Sequence, residues 1–266
     1  MRFLLIFFVS LIPIVGFSLE VSTTIKPLHT LLSAISKDVF TPHLIIDSDS
    51  PHRYQLTPHA QRLMQSSDII FYINKEFEPF AYKNKQDNWI ELLPLMPNIV
   101  DINEHQKDTH IWLDPDNAIA IAKIMTSTLS SYDSQNAIIY QRNAEELIKR
   151  INFAVKDIQK MFSNVTDVNY VVIHDAYSYF TRYFNIKSGI ILLKNNQEHI
   201  TPKSLYQLND EEFACIMSDP YHTNVAPSKI FQKTRLVIID PLGQNENHYT
   251  DLLYSIGMAF QKCFNR

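Results

Sequence analysis

The chain has 266 residues, 45% hydrophobic and 20% charged, with a formal net charge of -4. That suits one large globular domain or two of ordinary size and excludes a disordered chain. Its four glycines, Gly16, Gly189, Gly243 and Gly257, cannot spell either glycine-rich phosphate loop, and the acidic balance lacks the basic footprint of a nucleic-acid binder.

Along the chain, Met1-Arg2 supplies a positive start. Residues 3–15 are apolar except for Ser10 and Pro13, and Gly16-Phe17-Ser18 sets small residues at a cleavage site. This predicts a secretory signal peptide over 1–18, cut after Ser18, rather than a retained membrane helix. No later stretch reaches ~18 uninterrupted apolar residues, so a soluble exported chain is expected.

Apolar, β-branched runs at 19–24, 43–46 and 68–73, and again at 170–173, 186–192, 215–217 and 236–239, predict strands buried on both faces. Helical stretches lie between them at 27–36, 58–66, 115–130, 201–208 and 248–264. Thr57-Pro58 and Asp114-Pro115 each set a capping side chain before a proline at the first helical position. The repeated strand–helix alternation predicts an α/β fold with parallel sheets and right-handed crossovers.

Residues 134–162 contain no Gly or Pro. Ala144, Leu147, Ile148, Ile151, Ala154, Val155, Ile158 and Met161 recur there at helical spacing. At ~1.5 Å per residue this helix would run about 43 Å, as an ordinary crossover or as a spine between two domains. The expected organisation is a signal peptide (1–18), an N-terminal α/β domain (19–133), a linking helix (134–162) and a C-terminal α/β domain (163–266). Export places Cys215 and Cys263, the only cysteines, in an oxidising compartment. Neither belongs to a C-x-x-C pair, so a disulfide is expected rather than a metal site.

Ligands of open α/β sheets gather at the carboxyl ends of strands. The run ending at Ile46 leads to His52, the run ending at Ile173 to His174-Asp175, and the run ending at Ile239 to Asp240-Pro241. His110 lies in a polar loop just ahead of Asp114-Pro115. Taken singly, each histidine reads as a solvated loop residue, and Asp114 and Asp175 read as helix caps. Their joint placement converges three imidazoles and one carboxylate, two from each half, which suits zinc.

Five segments occur in order: Thr24-Ile25-Lys26-Pro27-Leu28-His29, Ser50-Pro51-His52-Arg53-Tyr54-Gln55-Leu56-Thr57-Pro58, His110-Ile111-Trp112-Leu113-Asp114-Pro115, His174-Asp175-Ala176-Tyr177 and Asp240-Pro241-Leu242-Gly243. Together they resemble the zinc-binding solute receptors of bacterial ABC importers, the ZnuA type. The resemblance runs from about Leu19 to Phe264. It implies two (βα)-repeat domains joined by a long spine helix, with the metal site in the interdomain cleft. It also implies a monomeric periplasmic receptor that binds Zn2+ with high affinity and delivers it to an inner-membrane ABC permease. His52, His110 and His174 match the family's three histidine ligands. Asp240 matches the carboxylate that closes the site in manganese-binding relatives, a place often left to water in zinc members. Those relatives carry Glu at the third position, where this chain has His174, which favours zinc.

There are departures from the family pattern. Pro51 stands where some zinc members have an acidic residue, and the long His- and Asp-rich loop is reduced to residues 101–109. Within it, His105 and Glu104 read as a bare surface loop rather than a metal-capture site. Two other readings stay open: a manganese or iron receptor on the same scaffold, and an exported zinc hydrolase whose three histidines activate water. Against the hydrolase, the chain has no H-E-x-x-H, and Asp240 is the one carboxylate left to serve as general base beside the ligands.

Overall fold

The computed structural model describes residues 19–47, 54–84, 86–165, 167–193, 212–221 and 234–265. The expected signal peptide, His52 and the expected 201–208 helix lie outside the described residues.

Strands β1 (Val21–Thr23), β2 (His43–Leu44), β3 (Ile69–Tyr72) and β4 (Trp89–Glu91) form a parallel sheet in the order β2-β1-β3-β4. An exposed antiparallel hairpin, β5 (Asp101–Asn103) and β6 (Gln106–Lys107), follows. A second parallel sheet holds β7 (Val171–His174), β8 (Ile190–Leu193), β9 (Ile216–Ser218) and β10 (Leu236–Ile238), in the order β10-β9-β7-β8. Numbered within its own half, each sheet reads 2-1-3-4. Each is therefore doubly wound, and its strand order reverses between its first and third strands, where such sheets open a crevice for ligands. β3 is apolar and buried throughout, and β1 is buried too although it reads Val-Ser-Thr, with the Ser22 and Ser67 hydroxyls paired at 2.6 Å.

The helices are α1 (Lys26–Ile35), α2 (Pro58–Ser66), α3 (Pro79–Asn84), α4 (Pro115–Tyr132), α5 (Ala137–Phe162), α6 (Ser178–Tyr183) and α7 (Tyr249–Phe264). The predicted caps form. Thr57 Oγ1 accepts from the Ala60 amide at 3.1 Å, and Asp114 accepts from the amides of Asp116 and Asn117, satisfying donors the first turn leaves over.

The long helix begins three residues later than expected, after a 3-10 turn over Ser134–Asn136. Its 26 residues span about 39 Å. Its buried stripe, Tyr140, Asn143, Ala144, Leu147, Ile151, Ala154, Val155, Ile158 and Phe162, packs on α1 and α4 from the first half and on α7 from the second. One large apolar core therefore joins residues of both halves, and a smaller cluster of Val171, Ile173, Leu192, Leu193 and Ile216 lies apart from it on the second sheet. The two sheets thus share a core through four helices, α1, α4, α5 and α7, and sliding one past the other would open voids in close-packed surfaces. No helix among the described residues is long and apolar enough to cross a membrane.

The sequence reading misses β4, α3, α6 and the hairpin, and it starts the 186–192 strand too early. α3 and α6 have six residues each, under two turns, too few to show a period. Residues 186–189 leave the strand after Asn185, whose φ is 52°, and β8 starts at Ile190, opposite Val171. The expected disulfide is present, joining Cys215, just ahead of β9, to Cys263 on α7 with Cα atoms 5.3 Å apart.

Candidate metal centre

His174 is the last residue of β7, at the point where the second sheet reverses its strand order. β7 pairs with β9 in parallel, with Val172 opposite Met217, so two residues further on His174 faces Asp219. The consequence is a hydrogen bond of 2.9 Å between His174 Nδ1 and Asp219 Oδ2, with the carboxylate fully buried. In the first half the corresponding place past β1 belongs to Thr24. Its hydroxyl donates to Glu78 Oε1 at 2.5 Å, and Glu78 also accepts from the amides of Ile73 and Asn74. Both halves thus bridge the reversal point with a buried carboxylate. In the first, burial pushes the Glu78 carboxyl up to about 7.

His110 reaches the site differently, from the turn between the hairpin and α4. The residue precedes a 3-10 turn over Ile111–Leu113 and is 5% exposed. Asp108 Oδ1 accepts from the His110 amide at 2.9 Å and pairs with its Nδ1 at 2.7 Å. Phe77 and Trp112 flank the imidazole with ring centroids 6.1 and 5.3 Å away.

The two imidazoles, one from each half, meet with centroids 5.2 Å apart and planes inclined at 76°. A zinc–nitrogen bond of about 2.0–2.1 Å puts an imidazole centroid about 3.2 Å from the ion. Two such rings subtending the tetrahedral angle would have centroids about 5.2 Å apart, against about 4.5 Å at a right angle. The observed separation fits two ligands of one tetrahedral ion.

Four hydrogen bonds between the halves frame this pair. Trp112 Nε1 donates to the Pro241 carbonyl at 2.8 Å, and the Tyr249 hydroxyl donates to the Trp112 carbonyl at 2.6 Å. The Tyr179 hydroxyl donates to the Asp108 carbonyl at 2.9 Å and accepts from the Val100 amide at 3.2 Å. The base of the exposed hairpin is thereby tied to α6, so residues 101–109 form a pinned β-hairpin instead of the expected bare loop.

Asp175 lies within electrostatic reach of both imidazoles. Burial pushes its carboxyl above the usual range, the Asp108 charge adds to that, and His110 and His174 oppose it. Its Oδ1 accepts from the Ser178 hydroxyl at 3.4 Å. Asp240 Oδ1 accepts from the Tyr221 hydroxyl and the Leu242 amide, and its Oδ2 accepts from the Gln244 amide. These bonds hold the turn that presents the Pro241 carbonyl to Trp112. Of the expected ligands, the structure brings His110 and His174 together, and His52 lies outside the described residues. Among the described residues, no third His, Cys, Asp or Glu completes a group that could hold a metal.

Sequence reading missed Asp108 and Asp219. Asp219 carried a usable signal, since it follows the apolar run 215–217 as Ser218-Asp219-Pro220, another strand end. Asp108 stands two residues before His110, close enough for its carboxylate to turn back on the ring. Of the other described histidines, His43 bonds Glu20 near the surface, His59, His105 and His248 are exposed, and burial lowers His29 below the ordinary imidazole value.

Known proteins share this architecture. The zinc uptake protein ZnuA of Brucella suis is 22% identical over 311 aligned positions, covering 92% of each chain. A crystal structure of ZnuA superposes with a TM-score of 0.81 at 16% identity, covering 93% of this chain and all of that one. AdcAII of Streptococcus pneumoniae gives 0.78 at 22%, covering 94% of this chain and all of that one. So does a manganese-bound mutant of the periplasmic metal binding protein from Candidatus Liberibacter asiaticus, 0.78 at 17%, covering 93% of this chain and all of that one. The family model described as zinc-uptake complex component A, periplasmic, matches residues 21–263. With nearly the whole chain matched, this protein belongs to the ZnuA family of metal receptors, solute-binding components of ABC importers and not enzymes.

Proposed function

We propose that this chain captures Zn2+ in the periplasm and delivers it to an inner-membrane ABC permease, with His52, His110 and His174 as its imidazole ligands. The exported chain begins after Ser18 and acts as a monomer, with domains 19–133 and 163–266 held by the 134–162 segment. The observation that carries the reading is the His110–His174 pair, whose 5.2 Å separation suits a tetrahedral ion. The fourth position falls to Asp240 or to water. Among the described residues Asp240 does not join the two imidazoles in a metal-holding group. It already accepts three hydrogen bonds, leaving about one of its four acceptor places, which favours water.

Imidazole binds zinc only through an unprotonated nitrogen, so affinity must fall with pH. Competition titration against a chromophoric chelator at pH 7.5 and 5.5, on the wild type and on His174→Ala and Asp240→Asn, tests this. Binding at one equivalent, weaker at pH 5.5 and weaker in His174→Ala, is the expected result. Equal affinity at both pH values, or an unaffected His174→Ala, would overturn the three-histidine site. A relative carries manganese, so tighter binding of manganese than of zinc would reassign the cargo.

A further inference from the structure

We propose that Asp108 and Asp219 are the positioning residues of metal capture, each dictating that one imidazole coordinates through Nε2. The inference rests on the reading of His110 and His174 as ligands. Asp108 is 2% exposed at its side chain and Asp219 is fully buried, and they come from different halves of the chain. A neutral imidazole carries one N–H, and a carboxylate at Nδ1 can only accept it. Nδ1 therefore holds the proton in both rings, and the lone pair sits on Nε2.

The ring planes are settled by the same contacts. Asp108 is anchored by the His110 amide as well as by the ring, and Asp219 stands opposite His174 in strand register. Both carboxylates lie too deep for water to take their place. Neither ring has to change tautomer or turn before it binds, so the cost of ordering the ligands is met when the chain folds. The pair also places two negative charges behind two neutral nitrogen ligands, balancing a divalent cation without adding hard oxygen donors.

The test compares wild type with Asp219→Leu, Asp108→Leu and the conservative Asp219→Asn and Asp108→Asn, with folding checked by circular dichroism. Long-range 15N–1H NMR of the metal-free protein at pH 8 reads the tautomer directly, and chelator competition reads zinc affinity. Wild type should show Nδ1–H at both histidines. Each Leu variant should lose that preference and bind zinc 10–100-fold more weakly. Each Asn variant, which keeps an acceptor oxygen, should hold the tautomer and recover part of the affinity. Leu variants with an unchanged tautomer and zinc affinity within twofold of wild type would overturn the proposal. So would Nε2–H at either histidine in the wild type, a result that stands even if the Leu variants fail to fold. A His174→Ala variant with undiminished affinity would sink the ligand reading itself and leave the tautomer result intact.

Discussion

Breaking the bond between Cys215 and Cys263 tests how the last helix contributes to stability. The bond closes a loop of 48 positions. Removing that constraint from the unfolded chain costs about 4 kcal/mol at 25 °C on the loop-entropy model. α7 should stay docked without it, since Tyr249, Leu252, Leu253, Ile256 and Phe260 are buried, and Arg235 Nη2 donates to the carbonyls of Cys263 and Asn265. The loss therefore falls on the balance with the unfolded state and not on the native contacts. For a chain of this size, about 4 kcal/mol lowers Tm by roughly 8–16 °C. Both cysteines are 0% exposed, so a reductant should act only on molecules that open.

The assay is thermal melting of three samples in the presence of EDTA, which removes stabilisation by bound metal. They are the wild type, the wild type unfolded, reduced and refolded in reductant, and the double variant Cys215→Ala/Cys263→Ala. The reduced wild type keeps both sulfur atoms and so isolates the bond from packing. Zinc affinity should stay within about twofold, because the bond lies away from the His110–His174 pair. A reduced wild type melting within 2 °C of the oxidised protein would refute the loop argument. A large loss of zinc affinity would show that the bond also shapes the site.

Two further substitutions probe buried polar groups. Glu78, raised to about 7 by burial, takes up a proton on folding between its unfolded value near 4.5 and that figure. The stabilisation from this proton is complete below about pH 4.5 and lost as pH rises through 7, on the order of 3 kcal/mol in all. Urea titrations at pH 5 and 7 should show wild type losing stability relative to Glu78→Gln, whereas parallel profiles would contradict the assignment. Asn143 Nδ2 donates to the Ile35 and Lys37 carbonyls, binding the end of α1 to α5. Asn143→Leu should cost about 1–3 kcal/mol by stranding those acceptors, and a denaturation midpoint equal to wild type would count against it.

Much of the fold was legible locally. Thr57 and Asp114 cap helices within a single turn, so their role needs no knowledge of the rest of the chain. The stripe from Ala144 to Ile158 announces a helix that must be covered on one side. The parallel α/β class follows from the strand–helix alternation and from apolar central strands such as β3 and β7, whereas the edge strand β10 exposes Leu236 and Ile238. The hairpin, α3, α6 and β4 escaped because segments of two to six residues carry no period.

The site divides along the same line. His174 could be picked out from sequence because a polar residue at the carboxyl end of an apolar run has a local signature, His110 because it stands just ahead of the Asp114-Pro115 helix start, and the cysteines because they are an isolated pair. What only the tertiary structure decided is which atoms face each other. Asp219 lies 45 residues from His174, and Trp112 lies 129 residues from the Pro241 carbonyl it bonds. Strand register and helix docking set those meetings, and both are chosen by the total burial of distant surfaces. The sequence by itself therefore determined the chemical types of the candidate ligands and, for His174, its place at a strand end. The packed core determined their orientation and partners, because that choice is made by contacts no local stretch of chain contains.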